Sequence, residues 1–376
     1  MKLIRPTADD VQEKFAATRR ELSSALIERD EEIDLVLTAL IASEYVLLVG
    51  PPGCGKSLLL DSVLAWTGGT KFNILLTKFT TVEEVMGPVS LAALKADKYL
   101  RVTTGRLPEA DYAFVDEVMK ASSAILNCLL KILNERVYDA GDGVARKVPL
   151  KLCLAASNEW ASPDTGKELA ALSDRFLLRR AVSPIRSQAG RQRLLWTADH
   201  TPRLSTAITP AEVEQARTMA SALPWSTDAR EALEAVLKEL AKEGVQPGDR
   251  RQFKTVNVVR AFAYLNGAGE VRPEHLEAAA HCLWDDPQEQ PQKVSQVIAR
   301  VANPTGMRVN QLLIEAEEVL AAADVRNLAE AAKAAAKLAE IERQLSGLKG
   351  NGRLDRARSY VKDLLKKHKL ASIEAI

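Results

Sequence analysis

A glycine-rich loop near residue 50 constrains this chain more than any other feature of its sequence. The loop has the pattern G-x-x-x-x-G-K-[ST] and consists of Gly50, Pro51, Pro52, Gly53, Cys54, Gly55, Lys56 and Ser57. Residues 45–49 before it are apolar and predict a buried strand, and Leu58 to Trp66 after it predict a helix. A strand, this loop and a helix in that order are typical of a phosphate-binding loop. A chance glycine-rich turn is the alternative, and the complete motif in this setting argues against it.

The chemistry of the loop predicts that the chain binds a nucleoside triphosphate. Backbone N–H groups of the loop and the N-terminus of the following helix can surround a polyphosphate. Lys56 can reach the outer phosphates, and the Ser57 hydroxyl can bind Mg²⁺. Leu58, at the start of the predicted helix, completes the set of residues expected around the nucleotide.

Composition narrows the class of protein. The 376 residues suffice for two domains and an appendage, and their 47% hydrophobic content is ordinary for a globular protein. No apolar run is long enough for a membrane span, and the N-terminus lacks the apolar core of a signal peptide, so we expect a cytoplasmic protein. The four cysteines have no C-x-x-C spacing, which argues against a zinc cluster or a disulfide framework.

Charge is balanced over the whole chain but not at its C-terminal end. The 51 basic and 50 acidic residues argue against wholesale nucleic-acid binding. Residues 326–376 contain 12 Lys and Arg against 6 Asp and Glu, a local excess of +6. A solvated helical surface is the favoured interpretation of this excess. A docking surface for an acidic partner or for nucleic acid is the alternative.

The pattern of apolar runs predicts an α/β fold with a five-stranded parallel sheet. Predicted helices lie near 57–66 and 119–135, between strands predicted at 45–49, 72–79, 112–115, 150–156 and 177–182. Strands that alternate with helices imply βαβ units and a sheet covered on both faces. Together with helices expected within residues 1–44, these elements form a first domain over residues 1–190.

After Pro184 the pattern predicts helices alone. Thr209, Pro210 and Glu212 form a capping-box helix start, and further helices are predicted at about 227–243, 250–266 and 273–284. These define an all-α domain over residues 205–286. Proline-rich residues 287–304 read as a linker. The C-terminal segment over 305–376 is predicted to be helical, with a break at glycines near residue 350. This pattern is compatible with a helical hairpin packed on the body of the chain or on a neighbouring subunit.

Acidic residues follow the strand 112–115. Asp116 and Glu117 stand at the end of this apolar strand, at the sheet edge where open α/β sheets bind ligands. Asp116 would hold Mg²⁺, and Glu117 would polarise the water that attacks the γ-phosphate. Acidic residues often end strands, but about 60 residues after a complete phosphate-binding loop the pair indicates a catalytic site.

Three further positions carry polar groups suited to phosphoryl transfer. Asn158 follows the strand 150–156 and can orient the attacking water; a turn-forming asparagine is its alternative. Arg175 precedes the strand 177–182 and can reach the nucleotide of an adjacent subunit, unless it is an ordinary surface arginine. Arg250, with Arg251 in reserve, can contact the γ-phosphate from above; helix-start charges at a domain joint are the alternative.

Longer stretches carry a resemblance to a known family. The chain resembles AAA+ ATPases of the MoxR family, and within that family the RavA-like branch. Besides the phosphate-binding loop, the resemblance lies in the segments 78–88, 105–110, 124–127 and 133–136. It covers about residues 25–285.

The resemblance implies a role for each candidate residue. Glu117 would be the hydrolytic acid, Asn158 sensor 1, Arg175 the arginine finger, and Arg250 sensor 2, with Arg251 as the other choice. ATP and Mg²⁺ would be the cofactors. The chain would assemble as a hexameric ring with active sites at subunit boundaries.

The resemblance also assigns two segments. Residues 83–110 resemble the insert in the second helix that marks this clade. Residues 137–148 predict a β-hairpin with Gly141, Asp142 and Gly143 at its centre, and by analogy this hairpin precedes sensor 1 and faces the ring's pore. Arg146 and Lys147 would contact a client there, or remain solvated loop charges.

The function that the resemblance implies is ATP-driven remodelling, maturation or activation of a client protein. MoxR-type ATPases typically act with a von Willebrand factor A domain partner, so we expect such an adaptor. A nucleic-acid-remodelling ATPase is the first alternative, supported only by the basic C-terminal residues. A slow nucleotide switch that scaffolds partners is the second.

Overall fold

The protein is described by a computed structural model over residues 8–140, 142–160, 167–323, 327–348 and 352–374. Its centre is a parallel sheet of five strands in the order β2-β3-β6-β1-β7, which confirms the predicted α/β fold. The strands are β1 (Val46–Val49), β2 (Lys71–Leu75), β3 (Tyr112–Asp116), β6 (Leu152–Ser157) and β7 (Leu178–Ala181). β2 ends earlier than its predicted limit at residue 79, because the Thr80 hydroxyl accepts a hydrogen bond from the Thr77 N–H at 2.9 Å and turns the chain.

Both faces of the sheet are covered, as the apolar strands predict. Val46 and Leu48 of β1 belong to one apolar cluster, whereas Leu47 and Val49 belong to another. Alternate residues of a strand point to opposite faces, so each cluster lies on its own side of the sheet. The helices of this part of the chain are α1 (Ala8–Ala25), α2 (Asp30–Ala42), α3 (Lys56–Trp66), α6 (Ser123–Glu135) and α7 (Lys167–Arg175).

The predicted insert and hairpin correspond to short elements. The insert region contains α4 (Val82–Met86), α5 (Leu91–Leu94) and a 3₁₀ turn, and a bridge between Val89 and Arg101 closes it into a loop. β4 (Val137–Asp139) pairs antiparallel with β5 (Ala145–Lys147). Arg146 forms an ion pair with Asp142 inside this hairpin.

The helical part contains two helices that the sequence does not predict, Gln188–Trp196 and Gln290–Ala302. It consists of α8 (Gln188–Trp196), α9 (Pro210–Ser221), α10 (Thr227–Lys242), α11 (Asp249–Leu265), a 3₁₀ helix (Pro273–His281) and α12 (Gln290–Ala302). α12 lies in the region predicted to be a linker, so that prediction is wrong. Val294, Val297 and Ile298 have helical spacing and are buried in a core shared by α10, α11, the 3₁₀ helix and α12, which together form the lid. A proline is compatible with the first turn of a helix, so the proline-rich sequence was not sufficient to predict a linker here.

Three helices, rather than a hairpin, form the C-terminal segment. They are α13 (Pro304–Ala322), α14 (Leu328–Gly347) and α15 (Gly352–Glu374). Leu312, Ile341 and Val361, one from each helix, are fully buried in a cluster separate from the other cores. The difference from the predicted hairpin is that α13 ends at Ala322 and α14 begins at Leu328, so the helical run before Gly347 is two helices. In the residues that the structure describes, no helix is long and apolar enough to cross a membrane.

Candidate nucleotide-binding and hydrolysis site

The polar residues predicted from the strand ends meet at one edge of the sheet. The phosphate-binding loop follows β1, Asp116 ends β3 and Asn158 follows β6. These three strands are adjacent and parallel, so their carboxyl ends share an edge. The Gly50 N–H donates to the Ser157 carbonyl at 3.1 Å and fixes the loop beside the end of β6.

Glycines give the loop its shape. A Cβ atom on Gly50 would lie 2.1 Å from the Val182 carbonyl oxygen, so only glycine allows this approach to the chain after β7. Gly53 and Gly55 have φ values of 80° and 77°, in the left-handed region that side chains other than glycine rarely adopt. α3 begins immediately afterwards at Lys56, with its free N–H groups at the loop.

Lys56 bridges the loop and the end of β6. Its Nζ atom donates to the carbonyl oxygens of Gly50 and Pro51 at 2.5 and 3.0 Å and to Asn158 Oδ1 at 3.2 Å. Only 7% of the residue is exposed. The ammonium group is therefore held by three neutral oxygens at the position where a phosphate charge would replace them.

Ser57 and Asp116 supply oxygen atoms for a cation. The Ser57 hydroxyl donates to Asp116 Oδ2 at 3.1 Å, and the Glu117 N–H donates to Asp116 Oδ1 at 2.9 Å. A hydroxyl and a carboxylate are the hard oxygen ligands that Mg²⁺ prefers when phosphates and waters complete its octahedron. The donor set of this pair fits Mg²⁺ with a bound triphosphate.

Each carboxylate oxygen of Glu117 has a polar partner. The Asn158 side-chain amide donates to its Oε1 atom, and Lys120 Nζ lies 3.3 Å from Oε2. Glu117 also has a φ value of 51°, a left-handed conformation that is strained for this residue type. Strain of this kind persists only where the surroundings over-determine the backbone, as at active sites. The contacts with Asn158 and Lys120 hold the carboxylate at the same sheet edge as the phosphate-binding loop.

Two residues of this site carry no motif and were not predicted from the sequence. Arg29 is buried, and its Nε atom donates to the Cys54 carbonyl at 3.0 Å while Nη2 donates to the Ser183 carbonyl at 2.9 Å. It therefore ties the phosphate-binding loop to the chain after β7. Lys120 was missed as well, although its spacing of three residues from Glu117 is a signal that could have found it.

The predicted arginines lie at the other edge of the sheet. Arg175 ends α7, just before β7, and its Nη1 atom donates to Asp174 Oδ2 at 2.9 Å. Lys254 of α11 pairs at 2.6 Å with Glu44, which precedes β1. Both contacts are at the amino ends of parallel strands, whereas the phosphate-binding loop is at the carboxyl end. Four residues of β1 separate the two edges, about 13 Å of extended chain.

Arg250 and Arg251 have different surroundings. Arg251 is buried and donates to the Cys282 carbonyl at 3.0 Å and to Asp174 Oδ1 at 2.5 Å. Arg250 is exposed and, with Arg175 and Lys254, lines a cavity of about 310 Å³. The structure therefore places Arg250 beside Arg175 and away from the phosphate-binding loop of its own chain, whereas the sequence suggested that it lies above that loop.

Asp174 stays charged between these arginines. Burial disfavours its charged form, but hydrogen bonding from Arg251 and the charges of Arg251, Arg175 and Arg179 outweigh burial and lower the pKa of Asp174 below its usual value. Its two carboxylate oxygens hold one arginine each, Oδ1 holding Arg251 and Oδ2 holding Arg175. The joint between α7 and the lid is thus organised by one carboxylate.

Comparison with known proteins gives matches over both parts of the chain. Residues 13–218 match the family model described as the MoxR domain in the MoxR-vWA-beta-propeller ternary systems. Residues 228–298 match an AAA lid domain, a stretch that extends into α12.

Individual relatives agree with these matches. An uncharacterized protein of Methanocaldococcus jannaschii is 36% identical over 88% of this chain and 87% of its own length. Protein MoxR of Methylorubrum extorquens is 28% identical over 64% of this chain and 71% of its own length. A crystal structure of a Cytophaga hutchinsonii protein assigned as an ATPase superposes with a TM-score of 0.62 at 16% identity, over 78% of this chain and 95% of that one.

The matches do not address the RavA-like branch, which stays a prediction. The family model alone spans more than half of the 376 residues. Together with the five-stranded parallel sheet, the complete phosphate-binding loop and the helical lid, it shows that the chain belongs to the MoxR family of AAA+ ATPases.

Proposed function

We propose that the chain is a Mg²⁺-dependent ATPase whose copies share active sites in a hexameric ring and use the cycle to remodel a protein client. The single observation that carries this proposal is the separation of the two sets of residues. Lys56, Glu117 and Asn158 lie at the carboxyl edge of the sheet, and Arg175 and Arg250 lie at the amino edge. One chain therefore cannot bring both sets to one nucleotide, but two neighbouring chains can.

The residues at the carboxyl edge would bind the nucleotide and activate the attacking water. Lys56 would exchange its carbonyl partners for phosphate oxygens, and the α3 N-terminus would take the remaining phosphate charge. Ser57 and Asp116 would hold Mg²⁺, which neutralises charge on the phosphates. Glu117 would accept a proton from the attacking water, and Asn158 would hold that water and Glu117 in line.

The residues at the amino edge would complete the neighbour's site. Arg175 and Arg250 line one cavity, together with Arg251, Lys254 and the carboxylates of Asp174 and Asp285, so the two arginines lie on one surface. Guanidinium groups that reach a γ-phosphate stabilise the charge of the transition state. A ring closes such head-to-tail contacts, since each copy then offers its amino edge to the next copy's carboxyl edge. The resemblance to AAA+ ATPases supports six copies.

A partner with a von Willebrand factor A domain is part of the proposal. The matched family model describes the MoxR domain of ternary systems that contain a vWA protein and a beta-propeller protein. The support for the same arrangement here is that the match covers residues 13–218, which include the whole sheet. The adaptor would present the client, and the ring would change its conformation.

An ATP-dependent capture experiment tests the remodelling proposal. The Glu117→Gln chain should bind ATP without hydrolysing it and should retain a vWA-type adaptor and a client with ATP but not without nucleotide. Lys56→Ala is the control, because it loses the nucleotide and should retain neither. Retained proteins are identified by mass spectrometry. Retention of nuclease-sensitive nucleic acid instead, or retention independent of ATP, would contradict the proposal.

A further inference from the structure

Trp160 joins the nucleotide site to the lid. It lies two residues after Asn158, and the turn between them is fixed by the Ser157 hydroxyl, which donates to the Glu159 carbonyl at 2.8 Å and accepts from the Glu159 N–H at 3.1 Å. Trp160 packs against the apolar cluster on the Leu47 and Val49 side of the sheet and against the core of the lid. A displacement of Asn158 therefore reaches Trp160 through a stiff turn.

Trp160 touches Trp284 of the lid edge-to-face. Their ring centroids are 5.6 Å apart with an interplanar angle of 80°, a favourable arrangement for aromatic pairs. Trp284 is 2% exposed, and the Arg179 guanidinium lies 4.2 Å from its ring centroid. Arg179 Nη2 also donates to the Trp284 carbonyl. The indole ring is thus fixed between Trp160 and a buried arginine of β7.

Charged groups continue the chain of contacts from Trp284 to Arg175. Asp285 follows Trp284, and its Oδ1 atom lies 3.3 Å from Arg251 Nε. Arg251 Nη2 lies 2.5 Å from Asp174 Oδ1, and Asp174 Oδ2 accepts from Arg175 Nη1 at 2.9 Å. Each link from Asn158 to Arg175 is therefore a short stretch of backbone, a packed ring pair or an ion pair.

Only some of the hydrogen-bond donors of Arg175 have a partner in this position. Its Nε atom is buried and has no hydrogen-bond partner among the described residues, and its one strong partner, Asp174, also holds Arg251. A buried N–H group without a hydrogen-bond partner is unfavourable. The Arg175 guanidinium can therefore leave this position when its hydrogen bond to Asp174 weakens.

We propose that the contact between Trp160 and Trp284 couples the state of a chain's own nucleotide site to the position of its own Arg175, which serves the next copy. Trp160, Trp284, Asp285 and Asp174 are positioning residues in this coupling. ATP at the chain's own site would move Asn158, and the shift would pass through the tryptophans to Asp174 and release Arg175 toward the neighbour. The coupling rests on the proposed function, because it requires that Arg175 act between chains.

A mixture of two variant chains isolates the coupling. The finger donor carries Glu117→Gln, so it holds ATP, cannot hydrolyse it and offers an intact Arg175. The site donor carries Arg175→Ala, so it hydrolyses ATP only beside a finger donor. The ATPase rate of the mixture reports the finger of one chain acting on the site of the other.

Trp160→Leu is then added to one donor at a time. In the finger donor it should lower the rate of the mixture at least about fivefold, the scale of an ordinary allosteric coupling. In the site donor, which has no finger to position, it should leave the rate unchanged. Trp160→Phe in the finger donor keeps an aromatic edge for Trp284 and should restore most of the rate.

Two further variants separate coupling from folding. Trp225→Leu in the finger donor is the matched control, because Trp225 packs against the same lid core and its backbone is bridged to Val271. It should leave the rate of the mixture unchanged. Asp285→Asn in the finger donor breaks the path at a half-exposed residue and should lower the rate as Trp160→Leu does. Thermal unfolding of each donor checks that it is folded.

The outcomes are distinct. An equal loss with Trp160→Leu in either donor, or no loss in the finger donor with either Trp160→Leu or Asp285→Asn, would overturn the coupling while the shared site stands. A mixture that is inactive before any tryptophan is changed would overturn the shared site itself, and with it the coupling.

Discussion

At the residue scale, the proposed function divides nucleotide binding and the hydrolysis step between Lys56 and Glu117. Lys56 is nearly buried and touches the loop that would hold the phosphates, whereas Glu117 stands at the end of β3 and touches Asn158 and Lys120. Lys56 would provide positive charge to the bound nucleotide in its ground state. Glu117 would provide a base that is needed only while the water attacks.

We therefore expect the two substitutions to affect different measurements. Lys56→Ala removes a charged hydrogen bond and should weaken binding of a fluorescent ATP analogue by about 10- to 100-fold, equivalent to about 1.5–3 kcal/mol. Glu117→Gln should leave that affinity unchanged and lower kcat by about 10²- to 10⁴-fold. Lys131→Ala, an exposed lysine of α6, is the control for both. Unchanged ATP affinity in Lys56→Ala would refute the assignment of the loop.

The sequence was sufficient to predict the carboxyl-edge residues but not their supports. Ser57, Asp116 and Asn158 each follow or end a strand-like run, and parallel strands must bring such positions together. Arg29 was missed because it contacts Cys54 and Ser183, which lie 25 and 154 positions away in sequence and share no motif with it. Such contacts depend on tertiary packing, which no local pattern records.

At the element scale, α12 and the three C-terminal helices have different roles. α12 shares its apolar side chains with the lid core, whereas α13, α14 and α15 bury theirs mainly among themselves. The sequence pattern missed α12 because the prolines that mark turns also fit the first turn of a helix. In the C-terminal segment the sequence predicted helix from residue 305, but it did not show that α13 ends at Ala322 and that α14 begins at Leu328.

Truncation distinguishes the two roles. A chain that ends at residue 303 keeps α12 and should unfold in urea with nearly the full stability of the remaining core. A chain that ends at residue 288 exposes the partners of Val294, Val297 and Ile298 and should lose about 5 kcal/mol, since burying each such side chain contributes about 1.5–3 kcal/mol. Equal stability of the two truncated chains would show that α12 is a linker after all.

At the scale of the whole molecule, the sheet separates the two sets of residues that the proposed function assigns to one reaction. The lid packs so that Arg251 and Lys254 bind at the amino ends of β7 and β1, and this places Arg250 next to Arg175. The sequence identified both arginines but could not show that they share a face, because that depends on how the lid docks. The docking places the two candidate arginines on one surface, which in the proposed ring would face another copy of the chain.

The most direct measurement of this claim is the ATPase rate of an equimolar mixture of Glu117→Gln and Arg175→Ala chains, combined before ATP is added. Each chain alone should be nearly inactive. In a randomly mixed closed ring, half of the sites have Glu117 and half of those face an intact Arg175, so the mixture should reach about one quarter of the wild-type rate. A rate that equals the sum of the two separate chains at every mixing ratio would contradict a site shared between copies.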